Sequence, residues 1–385
     1  MTNNKVSYLE GVRGWASFMV FIHHFLLAFY PAHYYGDRTI AHTSFIEVWY
    51  FASPFSFLTN GNFMVAIFFV LSGFVLSKKY FEDNNFEYLI SASIRRFFRL
   101  FIPSLAAIVL SYLIIIFAFN NNVEAAKYSN SPWLNKLYAG DYSFLGFLKE
   151  ISYKTMFWGS NDFVNTLWSI STELLGSFLI FSVLIFTHNK RNRLMVLLLI
   201  CAVIFSSFSR YYIAFILGIL LNYIINDPFI LKLKNNRLFI LFLLVVGLFL
   251  GGFPSGGNIE NTIYDHLMMR SLSKNYVLLH ILGGFFLIIA VLYSNFLQKI
   301  FSLNLFVYLG RVSFSVYLIH PLIIGSFSCF LLVKVNENFY SYNLLILFIF
   351  IATTIIIFAV SHYFTKWVDD KSVVLSKDFY TKYFK

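Results

Sequence analysis

The sequence predicts an all-α integral membrane protein, a bundle of about ten transmembrane helices, and three observations carry that prediction. First, 59% of the residues are hydrophobic and 12% are charged, with a mean hydropathy of +0.71; soluble domains carry about 25% charged residues. Second, apolar runs recur at approximately 15–30, 63–77, 102–119, 163–186, 194–208, 211–225, 238–253, 275–293, 305–333 and 343–364, each bounded by charged or Asn/Gly/Pro-rich residues. Third, with the N-terminus inside, 20 of the 29 Lys and Arg residues fall on the alternate loops that face the cytoplasm. Those loops are also the shorter ones, where the positive-inside bias acts. Both termini are therefore expected to be cytoplasmic, and residues 1–385 to form a single membrane domain without an appended soluble domain.

The net charge of +11 is explained by this topology, since the basic residues are scattered between apolar runs rather than gathered on a face for nucleic acid. The lipid bilayer is the partner that composition names. The two cysteines, Cys201 and Cys329, each lie within an apolar run, so neither a disulfide framework nor a thiolate metal site is indicated.

The first run is preceded by Lys5 and followed by no small-residue cleavage site, which makes it a retained helix. Arg13 stands before it and His23-His24 near its end. On a helix, Arg13 and His24 return to within roughly 20° of the same face, about 16 Å apart along the axis, while His23 points about 80° away. The second run ends in Phe68-Phe69-Val-Leu-Ser72-Gly73-Phe74, where a Ser-Gly pair permits close approach of a backbone or a ligand. Arg95, Arg96 and Arg99 occupy the loop expected before the third run, with Pro103 where the helix resumes. Three guanidiniums so placed suit either positive-inside anchoring or the clamping of a nucleotide's phosphates.

The longest connections, 31–62 and 120–162, are expected outside, as structured loops able to carry a second substrate. The fourth run contains Trp168-Ser169-Ile-Ser171-Thr172-Glu173, and an intramembrane carboxylate is costly enough that function is the default reading. The run at 305–333 places Ser313, Tyr317 and His320 on one polar stripe, suited to lining a cavity or to interhelical hydrogen bonding, and Pro321 predicts a break. His362, near the end of the last run, reads as an interfacial residue.

Together these stretches resemble the membrane-bound acyltransferase 3 family of bacterial sugar O-acyltransferases. The resemblance rests on L-E/D-G-x-R-G-x-A with Arg-X10-His (Leu9 to His24), F-F-x-L-S-G-F (Phe68 to Phe74) and R-R-x-x-R (Arg95 to Arg99). It continues with W-S-I/L-S-x-E (Trp168 to Glu173), F-x-x-G (Phe215, Gly218) and L-G-x-x-S-Y/F-S-x-Y-L-x-H (Leu309 to His320), all in the family's order. Two departures are visible. Leu174 stands where family members often have a second acidic residue, and Asp369-Asp370-Lys371 replaces an acidic-Lys-Pro triplet.

The resemblance implies transfer of an acyl group, commonly acetyl, from acetyl-CoA or another acyl-CoA to a hydroxyl of a carbohydrate acceptor such as O-antigen or exopolysaccharide, in the cell inner membrane. Acyl-CoA is then a donor substrate, and no permanently bound cofactor or metal is expected. In this reading His24, Arg13 and Glu173 are the catalytic set, with His24 as general base and Glu173 orienting or stabilising its imidazole. Arg95, Arg96, Arg99, Ser72 and Gly73 would hold the donor, and His23, Trp168, Ser169, Ser313, Tyr317 and His320 would line the pocket. Direct attack and a transiently acylated histidine both remain open, and a transporter or flippase of an acyl donor or glycolipid is the rival class, since transport pathways use the same polar stripes.

Overall fold

The computed structural model describes residues 7–43, 45–51, 53–187, 196–197, 200, 203, 209–225, 227–260, 262–266, 275–336 and 340–384. Among them every regular element is helical. In chain order the apolar helices are α1 (Ser7–Phe29), α2 (Gly61–Asp83), α3 (Phe86–Ile116), α4 (Trp168–Phe186), α5 (Tyr211–Ile224), α6 (Arg237–Gly251), α7 (Tyr276–Tyr293), α8 (Asn304–Val335) and α9 (Tyr342–Phe384). Seven of these are long and apolar enough to cross a membrane. The expected count of about ten is met in part among the described residues: α5 and α6 have 14 and 15 residues, or about 21–23 Å at 1.5 Å per residue, short of a hydrocarbon core of about 30 Å. The run expected at 194–208 lies almost entirely outside the described residues.

The helix boundaries also shift, and asparagine explains the largest change. Residues 78–101, expected as a loop, are helical except at Asn84-Asn85. Asn84 ends α2 in the left-handed region at φ 48°, and Asn85 caps α3 by accepting from the Tyr88 amide at 3.1 Å. Arg95, Arg96 and Arg99 therefore sit on α3 itself, and Pro103 lies inside that helix rather than at its start. Asn60 and Asn236 cap α2 and α6 in the same way.

The pair α1 and α8 forms the spine that positions the site. The two helices run parallel with a constant offset: Ser17 Oγ donates to the Ser313 carbonyl at 2.8 Å and His24 meets His320, each pair 296 residues apart. Gly14 faces Gly310 so closely that a Cβ on Gly14 would stand 2.3 Å from the Gly310 nitrogen, the close backbone approach that small residues permit between membrane helices. A second seam joins α2 to α5, where a Cβ on Gly218 would lie 2.6 Å from the Gly73 Cα. On the outer side of α9, Leu344, Leu347, Ile351 and Ile355 form an exposed apolar stripe at helical spacing, as a lipid-facing surface requires.

The break expected near His320-Pro321 takes a specific form. The helix passes through Pro321 and loosens afterwards into a π turn at Ile324–Ser328. Proline has no N–H to give the carbonyl four residues earlier. That carbonyl, on Tyr317, receives a hydrogen bond from Thr166 Oγ1 at 3.2 Å instead, which ties the connection before α4 to the middle of α8.

Candidate active site

Two adjoining regions hold the functional side chains. The first is a cavity of about 320 Å³ walled by α1, α2, α3, α4, α8 and the Asp369-Asp370 turn of α9. Four arginines, Arg13, Arg96, Arg99 and Arg311, and four acids, Glu10, Glu173, Asp369 and Asp370, line it. We call this the basic end of the bundle. Three of the arginines are already engaged. Arg13 bonds both oxygens of Glu10, at 3.1 and 3.2 Å, and Arg311 reaches Asp370 at 3.4 Å. Arg96 pairs with Glu173 and also donates to Ser177 Oγ at 2.9 Å. Among the described residues Arg99 makes no ion pair, so it is the cation most open to an anionic ligand.

Glu173 is thereby accounted for. Its carboxylate accepts from Arg96 and, at 2.6 Å, from Ser72 Oγ, and its side chain is 12% exposed. A buried carboxylate is tolerated when paired and hydrogen-bonded, and both conditions hold. The structure therefore places Glu173 in the wall of the basic cavity, paired with an arginine and not beside His24. The side chain that meets the His24 imidazole is another one.

That residue is His320. His24 Nδ1 lies 3.0 Å from the Val20 carbonyl and His320 Nδ1 lies 2.8 Å from the Val316 carbonyl. A carbonyl only accepts, so both Nδ1 atoms carry the proton and both Nε2 atoms carry a lone pair. His320 Nε2 stands 3.1 Å from His24 Nδ1, sharing that N–H with Val20. His24 Nε2 is left as a lone pair in a partly open position, with the Trp133 ring set over the imidazole at 5.2 Å. His320 is fully buried.

Tyr317 separates the two regions. It lines the basic cavity, its ring is 6.1 Å from that of His320, and its hydroxyl is held 2.7 Å from Ser169 Oγ. Neither His24 nor His320 lines the cavity. Ser169, Ser313 and Ser72 line it, together with Arg13, Arg96 and Arg99.

Other expected site residues lie elsewhere. Gly73 faces α5 rather than a ligand, because its missing side chain makes room for Gly218. Arg95 Nε turns back to the Ser91 carbonyl at 3.2 Å, away from the cavity. Trp168 packs its ring 5.4 Å from Tyr211. His23 points to a different side of α1, in keeping with its displacement of about 80°, and bonds the Thr59 carbonyl through Nδ1 at 2.7 Å. Sequence reasoning passed over Glu10, Arg311, Asp369 and Trp133. Of these, Glu10 was detectable as the i−3 partner of Arg13, whereas Trp133 belongs to a connection without periodicity.

A family model described as an acyltransferase domain, Acyl_transf_3, matches residues 6–362. No curated protein and no solved structure matches the chain. The matched stretch spans α1 to α8 and most of the apolar part of α9, and contains every residue of the basic cavity except Asp369, Asp370 and Val373 as well as the His24–His320 pair. The chain belongs to this acyltransferase family of multi-pass membrane proteins.

Proposed function

We propose that the protein transfers an acetyl group from acetyl-CoA, approaching through the basic end from the cytoplasm, to a hydroxyl of an envelope or extracellular glycan, in the cell inner membrane. The observation that carries this reading is the His24–His320 pair: a neutral imidazole with a bare Nε2 and its other nitrogen held by a second imidazole. A hydroxyl attacks a thioester poorly until a base removes its proton. His24 Nε2 takes that proton as the hydroxyl oxygen bonds to the thioester carbonyl carbon. The tetrahedral intermediate then expels the thiolate of coenzyme A, which takes the proton from His24 Nε2, and His24 is neutral again. While His24 is charged, its Nδ1–H is stabilised by the lone pair of His320 Nε2 and the Val20 carbonyl, the role a carboxylate has in other acyl-transfer sites.

The donor's phosphates fit Arg99 and the partly exposed Arg13 and Arg311 at the cavity mouth. Arg96 has a different task, since Glu173 and Ser177 hold it in the wall. Because the cavity stops at Tyr317, the thioester reaches His24 only when that side chain swings from Ser169. His24→Ala is expected to abolish acetylation of envelope glycans, read by mass spectrometry, with normal protein levels in the membrane. Acetylation equal to that of the unaltered protein would overturn the assignment.

A further inference from the structure

The connection between α3 and α4 holds one indole against His24. Ser131 Oγ donates to the Leu27 carbonyl of α1 at 2.7 Å and accepts from the Leu134 amide at 3.3 Å, while Asn122 Nδ2 donates to the Leu134 and Leu137 carbonyls at 2.8 and 3.0 Å. These bonds fasten residues 131–137 to the end of α1. Trp133 stands within the fastened stretch, 7% exposed, and its Nε1–H donates to Asn165 Oδ1 at 3.3 Å. An indole has a single N–H and it only donates, so this bond fixes the direction of the ring. The ring centroid lies 5.2 Å from that of His24, with the two planes 37° apart.

The charge that His24 takes up in the proposed transfer gives this contact a use. An imidazolium formed inside the bundle needs a compensating negative group. Among the described residues no carboxylate supplies one: Glu173 is held by Arg96 and Ser72, and the ionisable side chains that act on His24 are His23 and His320, neither of which carries negative charge. The His320 lone pair and the Val20 carbonyl both address a single nitrogen, Nδ1. The rest of the charged ring is left to Trp133. Tryptophan has the most negative face of the aromatic side chains, and a cation within about 6 Å of its centroid is attracted, most strongly where both are desolvated. His24 lies inside that limit. The Phe21 and Tyr317 rings beside His320 stand at 6.4 and 6.1 Å, outside it. Because His24 is neutral before and after the transfer, the attraction is realised only at the charged stage, which is the condition for an interaction to speed a reaction instead of merely tightening binding.

We infer that Trp133 is a positioning residue for the base, which stabilises the imidazolium form of His24 through its π face. The inference rests on the acyl-transfer reading. Its test is fluorination of this one ring, which withdraws electron density from the face and leaves the shape of the indole nearly unchanged. The full chain carrying mono-, di- or trifluorotryptophan at position 133 is assayed in the membranes that contain it, with radiolabelled acetyl-CoA and the glycans of those membranes. The maximal rate of label transfer should fall stepwise with each fluorine, by about tenfold in all, while the KM for acetyl-CoA stays constant. Trp133→Leu, which removes the π face, should lose about thirtyfold, and Trp133→Phe, with a weaker face, should recover part of that loss. Equal rates across the fluorine series with the unaltered protein active, or a change confined to KM, would overturn the inference and leave Trp133 as packing. No label transfer by the unaltered protein would overturn the acyl-transfer reading and this inference with it.

Discussion

His320 Nε2 lies 3.1 Å from His24 Nδ1, and each imidazole also turns its own Nδ1 to the carbonyl four residues earlier in its helix. Neither ring is free to rotate, and the tautomer of each is fixed by the chain that carries it. His24 is thereby pre-set with its lone pair on Nε2.

His320→Ala should lower kcat by about tenfold to a hundredfold, the worth of one hydrogen bond to a charged imidazole, with the KM for acetyl-CoA unchanged. His320→Gln, which still offers an acceptor, should recover part of the loss. A KM effect with unchanged kcat in steady-state assays would show that His320 serves binding instead of positioning the base.

Arg99 and Glu173 line the same cavity but should fail differently. Arg99→Ala removes an uncommitted cation and should raise the donor KM about tenfold, more at low salt, with little change in melting temperature. Glu173→Ala strips the partner from a buried arginine and should cost about 3–5 kcal/mol of stability. Thermal unfolding in detergent separates them; a Glu173→Ala protein as stable as the original but inactive would move Glu173 from the wall into the chemistry.

The buried His33 also predicts a pH effect. Its folded pKa of about 3 lies below the ordinary 6.5, so the unfolded chain binds the proton more readily and the stability from this residue is fully present above about 6.5. It declines as pH falls from there toward about 3. The melting temperature of the unaltered protein should therefore drop more steeply than that of His33→Gln between pH 7 and 4, and parallel curves would refute the placement of a neutral, buried His33.

Much of this arrangement is legible before any coordinates. Composition and charge asymmetry give a multi-pass membrane protein, and helical periodicity puts Arg13 and His24 on one face of α1 and turns His23 away; that His24 meets α8 is seen only in the fold. Pairings across long separations are not legible. Glu173 and Arg96 are 77 residues apart, and only packing decides that Glu173 meets an arginine instead of a histidine. Gly73 shows the converse limit: its motif position beside Ser72 suggested ligand contact, yet the same smallness serves the seam with Gly218. His33 and Trp133 lie in connections where no period marks an inward face.

The parallel pairing of α1 with α8 has a consequence for biosynthesis. Helix α1 leaves the ribosome 296 residues ahead of His320 and must wait for it before the second imidazole exists to meet His24. Contacts of such long separation form late and slowly. A nascent chain halted before α8 would hold a greasy first helix and an unsealed glycine face, so premature termination should yield a product recognised by membrane quality control and never a partially active transferase.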